Sequence, residues 1–236
     1  MWTAQEMPAR PPAATIRTQL MLPLRFADGY ATTARVFSFD GLVDGREHLA
    51  FGLGDRTGAI ASPGSDHSAP DSSAPSGPPR AEPLVRPHSE CLTGDVLGSQ
   101  RCDCGPQLRE AVERIADHGG FLLYLRQEGR GIGLYAKLDA YALQDAGLDT
   151  YQANLALGYA EDERDYTVAA QMLHALGLTR VALLSNNPDK ATQLERLGVT
   201  VTERMPTGLH LSAANAGYLA AKARHGSHTW ARKHAV

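Results

Sequence analysis

The pattern of apolar and polar positions divides the chain into three textures. The first is rich in β-formers: Thr15 to Phe26, Ala31 to Phe39 and His48 to Leu53 read as strands, parted by Asp28-Gly29 and Asp44-Gly45 turns. The second begins at Ala61 and runs to Pro83 without a single Val, Ile, Leu, Met, Phe, Trp or Tyr. Such a stretch cannot bury enough apolar surface to offset its ordering entropy, so it reads as an exposed insert. The third texture mixes helix and strand. Leu108, Val112 and Ile115 mark one face of a helix ending near His118-Gly119-Gly120, and Phe121 to Leu125 is a short apolar strand. A glycine-rich loop follows from Arg126 to Gly133, and then a helix on Leu134, Leu138, Tyr141 and Ala142 extends to Gly147. A helix is expected from about Asp162, as its N-cap, to Leu176. Val181 to Leu184 reads as a strand, Ser185 to Lys190 as a polar loop opening a helix to Leu197, Val199 to Thr202 as a strand, and Ser212 to Arg224 as an alanine-rich helix.

The expected fold is therefore mixed α/β (α+β), with a strand-rich N-terminal part joined to an α/β part. The expected divisions are 1–60 for the β-rich part, 61–83 for the insert, 84–206 for the core, and 207–236 for a C-terminal helix and tail. Composition adds only exclusions. The chain is 43% hydrophobic and 21% charged, as ordinary soluble domains are. No run of apolar residues reaches the roughly 18 needed to span a membrane. The start, Met1-Trp2-Thr3-Ala4-Gln5-Glu6, is unlike a signal peptide. A net charge of -3 argues against general nucleic-acid binding but leaves room for an anionic small ligand.

Chemistry concentrates where the cysteines do. All three lie between His88 and Gly105, in His88-Ser89-Glu90-Cys91 and Arg101-Cys102-Asp103-Cys104-Gly105. Clustered thiols without a secretion signal suit a reducing cytoplasm. Three thiolates are a natural zinc set that leaves one coordination position for water. A structural zinc closed by His88 or another histidine, and a metal-free set of buried thiols, are the alternatives. Glu90 is a candidate proton carrier beside the metal. Two strand–loop–helix junctions, Gln127 to Gly133 and Ser185 to Lys190, read either as tight structural turns or as helix N-termini suited to phosphate, with Arg126, Arg130 and Lys190 as cations. The run Glu161 to Asp165 reads either as a solvated helix start or as a setting for Arg164.

Taken together, Arg86-Pro87-His88-Ser89-Glu90-Cys91-Leu92-Thr93-Gly94-Asp95 and Arg101 to Gly105 closely resemble the zinc motif of the GTP cyclohydrolase II family of riboflavin biosynthesis. The resemblance continues through Arg126 to Arg130, Tyr141 to Asp145, Asp162 to Asp165 and Asn186-Asn187-Pro188, covering roughly residues 84 to 206. It implies zinc-dependent opening of the GTP imidazole ring, release of formate and pyrophosphate, a homodimer, and magnesium with the triphosphate. It implies that Cys91, Cys102 and Cys104 hold zinc. Contacts to GTP would come from Arg86, Pro87, His88, Ser89, Glu90, Gln107, Glu128, Gly129, Arg130, Thr150, Ser185 and Lys190. Asp162 would accept a proton, and Arg164 would act as nucleophile toward the α-phosphate.

Three positions depart from the pattern: Pro87 for a β-branched residue, Ser185 for threonine, and Asp189 where a base or small residue is common. A guanidinium holds its proton to a pKa above about 12, so charge stabilisation is the alternative role for Arg164. Tyr141 is the position expected to decide between formylated and deformylated products, or else a core aromatic. A zinc deaminase is disfavoured because the P-C-x-x-C that should follow H-x-E is absent. A non-catalytic zinc or nucleotide-binding relative would lack some catalytic groups, yet Glu90, Asp162 and Arg164 are all present.

Overall fold

A computed structural model of the chain describes residues 10–58, 81–160, 162–212 and 214–216. Most of the Ala61–Pro83 insert, Glu161, and most of the helix expected from Ser212 to Arg224 lie outside the described residues. Among the described residues one sheet of seven strands runs in the order β1-β2-β3-β5-β4-β6-β7. The strands are β1 (Thr15–Arg25), β2 (Ala31–Asp40), β3 (Leu49–Leu53), β4 (Leu84–Ser89), β5 (Gly120–Leu125), β6 (Arg180–Leu184) and β7 (Thr200–Met205). The first three form an antiparallel meander that pairs through β3 with β5, while β5, β4, β6 and β7 are mutually parallel. The helices are α1 (Leu92–Asp95), α2 (Cys104–His118), α3 (Leu134–Asp145), α4 (Thr150–Ala156), α5 (Thr167–Ala175) and α6 (Pro188–Arg196). No helix among the described residues is long and apolar enough to cross a membrane.

Parallel strands covered on both faces read as continuous apolar runs, and alternate side chains serve opposite cores. On β5, Phe121, Leu123 and Leu125 pack with Val85, Val181 and Leu183 against Val168, Ala169, Met172 and Leu173 of α5 and Leu194 of α6. On the other face Leu122, Leu84, Ala182 and Leu184 meet Ala111, Val112 and Ile115 of α2. A fully buried side chain of this kind contributes about 1.5–3 kcal/mol of transfer free energy.

The sequence reading needs three corrections here. Leu84–Ser89 is a central strand, though polar Arg86 and His88 and the proline between them disguise it. Its ladder to β6 covers only Leu84 and Val85 and so stops before Pro87, which has no N–H to give. Thr150–Ala156 is a helix with a reciprocal capping box between Asp149 and Gln152. The helix expected from Asp162 begins at Thr167, with Tyr166 at its N-cap position. The Asp162 carboxylate takes the Arg164 backbone N–H and guanidinium, so residues 162–166 form a loop.

Candidate active site

Parallel α/β sheets place ligands beyond the carboxyl ends of their strands. Here β4 delivers Arg86, His88, Ser89, Glu90 and Cys91, β5 leads into Glu128–Arg130, and β6 leads into Ser185, Asn186 and Asn187. With the N-terminus of α2 they line one cleft enclosing about 1130 Å³, its open mouth included.

The three thiols converge in that cleft, all Sγ atoms lying within 4.8 Å of one another. Cys91 and Cys102 are buried and 3.7 Å apart at sulfur. That is the spacing of two ligands in a tetrahedron with bonds of roughly 2.3 Å. Gly94 makes the convergence possible. A Cβ there would stand 2.7 Å from the Cys102 Sγ and 3.1 Å from the Cys91 Sγ. Hydrogen bonds from Cys102 and Cys104, with help from the Lys137 ammonium, drive the Cys91 thiol well below its ordinary pKa against the cost of burial. The Cys104 hydrogen bond favours ionisation of Cys102, but its bond to Cys91, burial and the Cys91 charge outweigh it and push Cys102 up to about 11. A dication is what would let all three ionise together. The donor set and its cradle fit zinc.

A polar base supports the thiol loop. The buried Asp95 carboxylate accepts the Cys91 backbone N–H at 3.0 Å and the Tyr124 hydroxyl at 2.9 Å, and pairs with His88 Nε2 at 3.1 Å. The His88 ring stacks on Tyr124 with centroids 5.6 Å apart. Burial outweighs Asp95 and lowers the His88 pKa, so the imidazole is neutral at neutral pH. Glu128 is buried too. Its carboxylate takes the Leu92 N–H at 2.7 Å, the Gly129 N–H at 3.0 Å and the Lys137 ammonium at 2.8 Å.

Arg86 is buried under the cleft floor, donating to the Leu184 carbonyl at 3.2 Å and to Gln107 Oε1 at 2.7 Å. Desolvation lowers its pKa, with Glu110, Cys104 and Asp103 acting in opposition. Glu90 pairs with Arg126 at 2.8 Å, and the Ser89 hydroxyl accepts from Gln127 at 3.0 Å. Pro87 does not line the cleft; its carbonyl takes the buried Lys190 ammonium at 2.7 Å.

At the other wall, Arg130 holds a left-handed conformation, φ 62°, unusual for a residue with a side chain. Its guanidinium lies 4.3 Å from the centre of the Tyr151 ring, beside Thr150 at the start of α4. Arg164 grips Asp162 through Nε and a second nitrogen. Burial opposes ionisation of Asp162, but Arg164 and Arg130 outweigh it and hold the carboxyl below its usual range. Tyr141 carries the Arg101 guanidinium 4.5 Å from its ring centre, and burial raises the pKa of its hydroxyl.

Behind Ser185, whose hydroxyl bonds within its own turn, Asn186 is buried against Thr207. Thr207 belongs to the segment after β7 and lines the cleft. Glu110 of α2 latches that segment, taking the Gly208 N–H at 2.9 Å and pairing with His210 at 2.8 Å.

The structure thus brings every sequence-predicted site residue except Pro87, Arg126 and Asp162 into the lining of one cleft; Asp162 adjoins it through Arg164, and Arg126 through Glu90. Sequence reasoning missed Lys137, Asp95 and Thr207. The first two were visible only as polar residues within otherwise explained segments. Thr207 lay just beyond the stretch that carried recognisable motifs.

The sequence pattern of the GTP cyclohydrolase II family matches residues 21–206. GTP cyclohydrolase-2 of Vibrio parahaemolyticus is 47% identical over 197 residues, spanning 83% of this chain and 88% of the relative. GTP cyclohydrolase-2 of Psychromonas ingrahamii is 43% identical over 215 residues, covering 90% and 96% respectively. Riboflavin biosynthesis protein RibBA of Bacillus velezensis is 49% identical over 192 residues, which are 80% of this chain and 43% of that longer protein.

Proposed function

The chain belongs to the GTP cyclohydrolase II family, and from that premise we propose that it hydrolytically opens the imidazole ring of GTP. Formate and pyrophosphate leave, and the product is the diamino-phosphoribosylamino-pyrimidinone that begins riboflavin biosynthesis. One observation carries this reading: three thiols converge in the same cleft as Arg164, which is paired with the adjoining Asp162, and Lys190. A carbon centre and a phosphate chain can therefore be handled side by side.

Cys91, Cys102 and Cys104 would hold zinc. Bound there, the ion would supply the Lewis acidity that makes water nucleophilic near neutral pH. Glu90, restrained by Arg126, stands next in sequence to Cys91 and suits proton transfer at the purine. Arg130, held on Tyr151, and Lys190 at the start of α6 suit the phosphates, magnesium accompanying the chain of three. Arg164 suits the α-phosphate. Its fork is already charge-paired to a carboxylate held below its usual range, which makes Asp162 a weak base toward a guanidinium. That favours electrostatic stabilisation of the departing pyrophosphate over attack by the guanidine nitrogen. Thr150 and Ser185 border the same space, and Arg86, Gln107 and His88 set its floor. A homodimer in the cytoplasm completes the reading. The exposed Leu20, Met21 and Leu22 of edge strand β1 support a second copy.

The test is to incubate metal-loaded protein with GTP, identify products by mass, and measure formate, pyrophosphate and zinc. Loaded protein that leaves GTP intact refutes the proposal.

A further inference from the structure

Lys137 is not among the residues that family resemblance assigns a role, and its setting is unusual. It sits on α3 with a side chain only 9% exposed. Its ammonium has three acceptors within reach: Cys91 Sγ at 3.2 Å, Thr93 Oγ1 at 2.9 Å and Glu128 Oε1 at 2.8 Å. An ammonium has three N–H donors, so none is left for substrate. Glu128 is committed to the same loops, its carboxylate taking three donors from Lys137, Gly129 and Leu92. The two side chains therefore brace the thiol loop, Cys91 to Thr93, against the loop that carries Arg130.

Burying a lysine costs several kcal/mol unless the charge is matched. Three thiolates around a dication leave one net negative charge, and Glu128 adds another beside it. Lys137 is the cation in contact with both. We propose, resting on the zinc reading above, that Lys137 is a positioning residue of the thiol centre. It fixes the Cys91 sulfur through an N–H···S bond and offsets the negative charge of the loaded site. Glu128 positions Lys137 rather than touching substrate.

The experiment uses the full chain, as wild type, Lys137→Met and Lys137→Arg, each loaded with cobalt(II) and separately with zinc. Two quantities are read: the thiolate-to-cobalt charge-transfer band, and zinc affinity by competition with a chromophoric chelator. Circular dichroism checks the fold, and Lys137→Gln replaces the methionine variant if that one does not fold. Loss of the donor raises the energy of the sulfur lone pair, so the band moves to longer wavelength. Zinc affinity falls by about 10–100-fold, the usual cost of removing a group that supports a metal ligand. Lys137→Arg moves both readings back toward wild type, which a mere packing role does not require. A methionine variant with the wild-type band and an affinity within about twofold of wild type overturns the inference while leaving the metal centre standing. Wild-type protein that binds neither metal overturns both.

Discussion

Gly94→Ala adds one methyl group at the point where the three thiols meet. The new Cβ would stand 2.7 Å from the Cys102 Sγ and 3.1 Å from both the Cys91 Sγ and the Cys104 Cβ. Non-bonded heavy atoms of this size settle at roughly 3.5–4.0 Å, so the triangle must open by about 1 Å. Gly94 lies in α1 without a positive φ, so the backbone itself accepts alanine, and helix propensity favours the change by at most about 1 kcal/mol. Overpacking costs about 1–3 kcal/mol. Carried wholly by the loaded form, that is about 5- to 150-fold weaker metal binding at 1.4 kcal/mol per decade. Chelator competition for zinc measures it directly. Gly58→Ala is the control, because a Cβ there meets nothing within 4 Å. If Gly94→Ala holds zinc as tightly as wild type, the sulfurs do not close around Gly94 and the geometric argument for the cradle fails.

Three further outcomes follow from the same contacts. The Asp162 carboxyl is held below its usual range, so its contribution to stability is complete above the unfolded pKa of about 3.9 and disappears as pH falls through the folded value. Thermal scans of Asp162→Asn against wild type should show a constant gap from neutral pH to about pH 5, closing below about pH 4; a gap that widens on acidification contradicts this. Tyr141→Phe should keep zinc content and pyrophosphate release near normal while a formylated product accumulates in the mass spectrum. Fully deformylated product at the wild-type rate returns Tyr141 to a packing role. Glu110→Gln should speed amide exchange of Gly208 by about 5- to 30-fold, the effect of about 1–2 kcal/mol of local hydrogen bonding, and unchanged exchange would remove the latch.

What sequence patterning could read depended on how each segment is buried. Strands β1 to β3 and the apolar β5 and β6 announce themselves through composition. Strand β4 does not, because its polar side chains turn toward the cleft and its proline sits where the ladder to β6 has ended. Helix α4 carries its signal in the Asp149 and Gln152 capping box rather than in apolar periodicity. The acidic run before α5 looked like a first helical turn because acids favour that position. Asp162 instead holds Arg164, and only Asp165 serves the helix start, accepting the Thr167 N–H at 2.6 Å. At the site, cysteine spacing revealed the thiol cluster. Nothing in one dimension distinguishes Lys137 on α3 from a solvated helix lysine, since its partners lie 9 to 46 positions away.

The family pattern ends at residue 206, and the next residue is a wall of the cleft. Asn186 gives two hydrogen bonds to Thr207 and takes one from its backbone, all within the buried interior. Anyone trimming an expression plasmid to the matched region would leave that amide facing nothing, at about 1–3 kcal/mol for each stranded polar group. The trimmed protein would misrepresent the shape of its own cleft in any inhibitor screen. The practical right-hand boundary lies past His210, where the tether to Glu110 is complete.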